Sequence, residues 1–363
     1  MKKYCVLPTA VLFALCSLNA EAGPSVRQYT EAADLTITGK LMDTPNPYHR
    51  IDTVAYRDFT PAENKLVRES SGLAVAFATD SRTITVTTDF GYFIDFPGAT
   101  ALFATAGYDL YIKKGGRWVW AAARAVSPLH KDEELTLISD MAEGVKECLM
   151  YLPLFSEEHS IKIGTDSGSM IEASPDPFRH RVGIFGSSYT HGTGTSRAGL
   201  AYPAQFSRLT GIQLLSIAVS GNCKLQQSFA KVLADAEVDA LIFDAFSNPN
   251  GEMIRDRLFP FIETVQAAHP GIPLIFQRTI RREGRNFQPQ KEAYESYKIA
   301  VADSMMKIAC RRYKDVYYIS PDAEVPHHDG SVDGVHPTDY GYTLWAESIR
   351  KPVMKILRRY GIR

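Results

Sequence analysis

Cysteine is scarce in this chain, tryptophan scarcer, and an excess of either charge is missing. The 363 residues hold 5 cysteines and 3 tryptophans. Cys5 and Cys16 fall within the first 22 residues, which leaves Cys148, Cys223 and Cys310. An odd number at wide spacing excludes a disulfide framework and a cysteine metal motif. At most one bridge could form, and free thiols are the expectation. Lys and Arg number 40 against 41 Asp and Glu. A chain so balanced lacks the basic excess of a nucleic-acid binder, and no nucleic-acid partner is expected. No apolar stretch reaches the roughly 20 residues of a membrane-spanning helix, so no stable membrane insertion is expected either. With 45% hydrophobic and 22% charged residues, disorder and low complexity are also excluded.

What the N-terminus does have is the grammar of export. Lys2 and Lys3 precede the largely apolar run Val6–Leu18, and Ala20-Glu21-Ala22 supplies a small-x-small cleavage signal. We expect a signal peptide over 1–22, cut before Gly23, and a periplasmic or secreted protein. A lipid anchor on Cys16 is not expected, because the bulky Leu15 precedes it.

The rest of the chain divides by periodicity. From Arg27 to Gly164 apolar and polar residues alternate with period two, as in Leu35–Leu41, Thr83–Thr87, Glu147–Leu152 and Ser160–Ile163. Tyr108–Lys114 and Arg117–Trp120 flank Gly115-Gly116, the composition of a primed hairpin turn. No amphipathic helix is evident there, so 23–164 reads as a jelly-roll or β-sandwich domain. The stretch 165–180 reads as a linker, with Asp166-Ser167-Gly168-Ser169 and Ser174-Pro175-Asp176-Pro177. Over 181–363 short apolar strands alternate with helices, the pattern of a parallel sheet covered on both faces. Ligands in such sheets bind beyond the carboxyl ends of the strands.

Polar groups gather there. The first strand of this half runs into Gly186-Ser187-Ser188-Tyr189-Thr190-His191-Gly192, where a serine on a tight turn can present its hydroxyl. The second ends in Val219-Ser220-Gly221-Asn222 and the third in Asp244-Ala245-Phe246-Ser247-Asn248. Ahead of the last helix stands Asp333-Gly334-Val335-His336-Pro337. An aspartate three residues before a histidine, across a glycine turn, can reach the imidazole Nδ1, fix its tautomer and stabilise its charged form.

In their order these segments resemble the blocks of the SGNH (GDSL-type) esterase superfamily, over about half the chain. The closest resemblance is to two-domain members with an N-terminal β-domain, many of which act on acetylated carbohydrate. The resemblance implies a three-layer, flavodoxin-like α/β hydrolase domain. It implies Ser188 as nucleophile, His336 as acid and base, and Asp333 as its orienting carboxylate. The oxyanion hole would be the Ser188 N–H, the Gly221 N–H and the Asn248 amide. Two departures stand out: Ser187 replaces the aspartate of the family name, and Pro249 follows Asn248 where an aspartate is usual. Neither removes a catalytic group, and both point away from a generic lipase.

The expected activity is hydrolysis of acetyl or other short-chain esters, with acetylated carbohydrate as substrate and no metal or cofactor needed. Tyr189, His191 and Arg278 are candidate substrate-binding residues. A rival reading makes His327, His328, Asp329, Asp333 and His336 a metal centre; another makes the chain a carbohydrate-binding protein with an inactive hydrolase domain.

Overall fold

The computed structural model describes residues 26–92, 98–131 and 133–363. The segment read as a signal peptide lies outside the described residues.

The N-terminal half comprises β1 (Arg27–Glu31), β2 (Thr36–Thr38), α1 (Pro61–Arg68), β3 (Ala74–Thr79) and β4 (Ile84–Tyr92). They are followed by α2 (Leu102–Thr105), β5 (Gly107–Lys114), β6 (Arg117–Ala125) and β7 (Leu135–Ile138). β8 (Lys146–Tyr151), β9 (Glu157–Asp166) and β10 (Ile171–Ala173) complete it. The strands form two antiparallel sheets, ordered β1-β9-β4-β7 and β10-β3-β8-β5-β6, with β2 beside β3. Alternate side chains of a strand face opposite ways, and β3 uses both faces. Val75 and Phe77 pack with Ile84, Val86, Ile161 and Ile163 between the two sheets. Ala74 and Ala76 face the other way, against Leu154, Phe178, Ala198 and Ala204. Small side chains on that face let the sandwich lie close on the second domain. The β5–β6 hairpin pairs Lys114 with Arg117. Gly115 and Gly116, at φ +57° and +75°, make its turn as the sequence predicts.

The C-terminal half runs β11 (Arg179–Gly186), α3 (Ser188–His191), α4 (Tyr202–Thr210), β12 (Ile212–Ala218) and α5 (Gln227–Asp235). Then come β13 (Ala240–Asp244), α6 (Gly251–Ala268), β14 (Leu274–Gln277), α7 (Pro289–Arg312), β15 (Val316–Ile319) and α8 (Asp339–Leu357). Its strands form one parallel sheet ordered β12-β11-β13-β14-β15. Phe185, Leu215, Phe243 and Phe276 pack on one face with Phe229, Ile262 and Met306 of α5, α6 and α7. Ile184, Leu214, Ile242 and Ile275 pack on the other with Phe206, Trp345 and Ile349 of α4 and α8. The two-domain reading, a sandwich of antiparallel sheets followed by a three-layer α/β half, holds.

Three sequence expectations differ from the structure. A helix does interrupt the β half: α1 begins at Pro61 behind a capping box in which Thr60 and Glu63 bond each other's backbone N–H groups at 3.3 and 2.8 Å. The run Leu35–Leu41 is strand only over Thr36–Thr38, because Gly39 turns the chain at φ +90°. The 165–180 stretch is not all linker. β9 extends through Asp166, Ile171–Ala173 pairs with β3, and β11 starts at Arg179.

The thiols of Cys148, Cys223 and Cys310 are free; the first two are buried and Cys310 is exposed. Among the described residues no helix is long and apolar enough to cross a membrane.

Candidate active site

β11 delivers the turn that carries Ser188. A side chain at Gly186 would collide with Thr190, so the turn closes this tightly only on glycine. Ser187 caps the short helix α3, accepting the Tyr189 N–H at 3.2 Å. Ser187 also donates its hydroxyl to Asp244 Oδ2 at 2.7 Å, and Thr190 Oγ1 donates to the same oxygen at 3.0 Å. Asp244 is the last residue of β13 and is buried, which pushes its carboxyl up to about 6 against the hydrogen bonds from Ser187 and Thr190. This carboxylate ties the turn to the neighbouring strand.

Ser188, 6% exposed, opens α3, and its hydroxyl lies 2.9 Å from His336 Nε2. His336 Nδ1 lies 2.8 Å from Asp333 Oδ2, while Asp333 Oδ1 accepts the backbone N–H of Val335 at 2.9 Å and of His336 at 2.8 Å. Partial burial raises the Asp333 carboxyl, but these donors outweigh it and hold the group below its ordinary value. An ionised carboxylate only accepts, so Nδ1 carries the proton and Nε2 is left to accept from Ser188. Gly194, at φ +94°, packs over His336; a Cβ there would lie 3.2 Å from the His336 Cβ. The β-domain steadies that loop, for Thr100 Oγ1 accepts the Gly194 N–H at 3.0 Å.

The oxyanion candidates follow β11, β12 and β13, three adjacent strands. Gly221 has φ +72° and faces open space where a Cβ would be. Asn248 Oδ1 accepts the Cys223 N–H at 3.2 Å, which leaves the amide NH2 as the unused end. Among the described residues no protein acceptor takes the N–H of Ser188, the N–H of Gly221 or the Asn248 amide hydrogens.

Two of the substrate-binding candidates are corrected. Tyr189 is fully buried behind the histidine: its ring stands edge-on to His336, with centroids 5.9 Å apart, and its hydroxyl accepts from Arg282 Nε at 3.1 Å. His191 is also fully buried, donating from Nε2 to the Leu154 carbonyl at 2.6 Å and stacked on Phe155 at 4.0 Å. Glu69 Oε2 lies 3.1 Å from the same nitrogen, so His191 fastens helix α3 to the β-domain. Arg278 is different. It pairs with Asp303 at 3.0 Å and lines an open polar cavity of about 380 Å³ together with Arg281, Glu283 and Glu324.

The proposed metal cluster does not assemble. His336 is committed to Ser188 and Asp333, and His328 Nδ1 lies 3.1 Å from the Arg281 guanidinium. Among the described residues no group of three His, Cys, Asp or Glu side chains is arranged to hold a metal.

The model of the GDSL-like lipase/acylhydrolase family matches residues 179–355, and that for the N-terminus of SGNH-hydrolase-type esterases matches residues 27–171. A protein from Bacteroides ovatus described as a GDSL-like lipase is 33% identical, over 92% of this chain and 98% of its own, with a TM-score of 0.87. The chain belongs to the GDSL-like lipase/acylhydrolase family. It is therefore a carboxylic ester hydrolase, and the SGNH blocks read from the sequence lie within the matched segment. More distant members of this fold resemble it over nearly their whole length. A salicylyl-acyltransferase from a tetracycline biosynthetic pathway is 18% identical over 93% of this chain and 99% of its own, with a TM-score of 0.66. A family two carbohydrate esterase from Cellvibrio japonicus is 11% identical over 92% and 99%, with a TM-score of 0.60. No curated protein matches the chain.

The sequence did not single out Asp244 as the anchor of the nucleophile turn. A carboxylate ending an otherwise apolar strand is the signal that could have found it. The Thr100 contact carries no signal in sequence.

Proposed function

We propose that this esterase works through an acyl-enzyme on Ser188 and removes acetyl groups from carbohydrate outside the cytoplasm. The observation that carries the mechanism is the continuous chain Ser188 Oγ, His336 Nε2, His336 Nδ1, Asp333 Oδ2, with contacts of 2.9 and 2.8 Å. Serine is a weak nucleophile unless a base stands within hydrogen-bond reach. His336 accepts the hydroxyl proton as Ser188 Oγ attacks the ester carbonyl, and Asp333 stabilises the imidazolium. The Ser188 and Gly221 N–H groups and the Asn248 amide receive the oxyanion. His336 then protonates the departing alcohol, and water repeats the cycle on the acyl-enzyme.

The cavity lined by Arg278, Arg281, Glu283, Asp303 and Glu324 holds none of the proposed catalytic groups, so the preference for a polar alcohol rests on the resemblance to carbohydrate-active members of the superfamily. The fold shared with a carbohydrate esterase accords with it. Export rests on Lys2-Lys3, Val6–Leu18 and Ala20-Glu21-Ala22. A chain-length series of p-nitrophenyl esters, run beside acetylated xylan, tests the substrate. We expect the rate to be highest for acetyl and acetate to be released from the glycan. A rate climbing steadily to dodecanoyl, with no acetate from any glycan, would refute it. A fluorophosphonate that labels the wild type but not Ser188→Ala would dispose of the inactive-hydrolase alternative.

A further inference from the structure

Behind the oxyanion loop lies a buried cluster of ionisable groups that the reaction scheme does not use. Glu295 and Lys298 stand one helical turn apart on α7, 4% and 2% exposed. Arg282 reaches them from the loop after β14, pairing with Glu295 Oε1 at 3.0 Å, while Lys298 Nζ lies 2.9 Å from Glu295 Oε2. Both cations also bind one carbonyl. Arg282 Nη2 donates to the Ser247 oxygen at 2.6 Å and Lys298 Nζ donates to it at 3.1 Å. The third arm of Arg282, Nε, donates to the Tyr189 hydroxyl at 3.1 Å.

Stability alone does not account for this arrangement. Buried ion pairs repay their desolvation poorly, and well-packed apolar side chains often serve as well or better. The placement is informative. Ser247 precedes Asn248 and Tyr189 follows Ser188, so one guanidinium spans the backs of the two segments that would flank a bound ester. Its planar fork fixes both directions at once, which a lysine ammonium cannot do. Two positive charges against one carboxylate also leave the cluster net positive on the side where the oxyanion forms. Asp244 and Arg285, two further buried ionisable groups nearby, are engaged by the turn that carries Ser188 and by Glu292.

We propose that Arg282, assisted by Lys298, is a positioning residue that holds the Ser247–Asn248 peptide so that the Asn248 amide meets the oxyanion. The proposal rests on the reading of Asn248 as an oxyanion donor. Arg282 touches no reacting atom; it acts through Asn248.

A double-mutant cycle on p-nitrophenyl acetate hydrolysis tests it, using Arg282→Met, Asn248→Ala and the pair. Removing a single oxyanion donor typically costs ~100-fold or more in kcat. Arg282→Met should lower kcat by roughly 30-fold, less than the loss of the donor itself because the amide is displaced and not removed, and leave KM within about threefold. The double variant should lose no more than about threefold beyond Asn248→Ala, since groups acting as a unit are not additive. Losses that multiply in the double variant, or a change in KM alone, overturn the proposal. Lys298→Met supplies the same cycle if Arg282→Met does not fold. If Asn248→Ala is itself as active as wild type, it is the oxyanion assignment that fails, and the two failures are thus distinguishable.

Discussion

The hydroxyl of Ser187 donates a 2.7 Å hydrogen bond to the buried carboxylate of Asp244, joining the turn that carries Ser188 to the end of the adjacent strand. Two neighbouring serines therefore have separate duties. Ser187 faces into the fold and braces the turn; Ser188 faces His336.

The two serines should separate in mutagenesis. Ser188→Ala should abolish ester hydrolysis with melting temperature unchanged, because its hydroxyl carries no core packing. Ser187→Ala should retain measurable turnover but lose stability, by ~1–3 kcal/mol, since Asp244 loses a buried donor. Kinetics and thermal melts of both variants check this; near-wild-type turnover in Ser188→Ala would remove the assignment.

Asp333→Asn should be harmful, yet less so than His336→Ala. The amide can still accept the two backbone N–H groups, but it offers a donor or a weaker acceptor to Nδ1. Losing the orienting carboxylate of a triad costs ~10⁴-fold in kcat, against ~10⁶ for the histidine. Single-turnover rates of the two variants decide; equal losses would mean that Asp333 does more than orient the ring.

Two buried groups should give opposite slopes of stability with pH. Asp244 is raised by burial to about 6 from 3.8, so the folded state binds a proton that the unfolded state does not between those values. Its burial penalty is present in full above about pH 6 and is relieved as pH falls through that window. Burial, opposed by Glu69, lowers His191 from 6.5, so the unfolded state binds the extra proton and stability is lost as pH falls below that value. Urea melts of Asp244→Asn and His191→Phe across the acidic range should each remove one of these slopes. A wild-type slope surviving unchanged in either variant would contradict its source.

His191→Ala should cost ~3 kcal/mol or more, by deleting the ring stacked on Phe155 and leaving the buried Leu154 carbonyl without its donor. Because His191 ends the helix that Ser188 begins, activity should fall as well. Equilibrium unfolding and kcat measured on one preparation test both; a loss of stability below about 0.5 kcal/mol, an ordinary surface effect, would remove this role.

Periodicity was enough to separate the β half from the α/β half. Period-two runs gave most of the sandwich strands, and apolar strands alternating with helices gave the parallel sheet, because each pattern reports which faces are buried. The Ser188, Gly221, Asn248 and Asp333-x-x-His336 segments were legible for a related reason. A parallel sheet forces every strand to end at the same edge, so residues just beyond successive strands become neighbours. Helix α1 carries a capping signal in Thr60-Pro61-Ala62-Glu63, which the period-two reading missed. What only the tertiary structure decided is where side chains beside those motifs point. Tyr189 and His191 flank the nucleophile in sequence yet are turned into the core by the helical rotation after Ser188, one onto Arg282 and the other onto the β-domain. The partners of the site, Asp244 for Ser187, Arg282 for Ser247 and Thr100 for Gly194, are distant in sequence and unmarked by spacing. Such pairings follow from how layers and domains close on one another, and no local pattern encodes that.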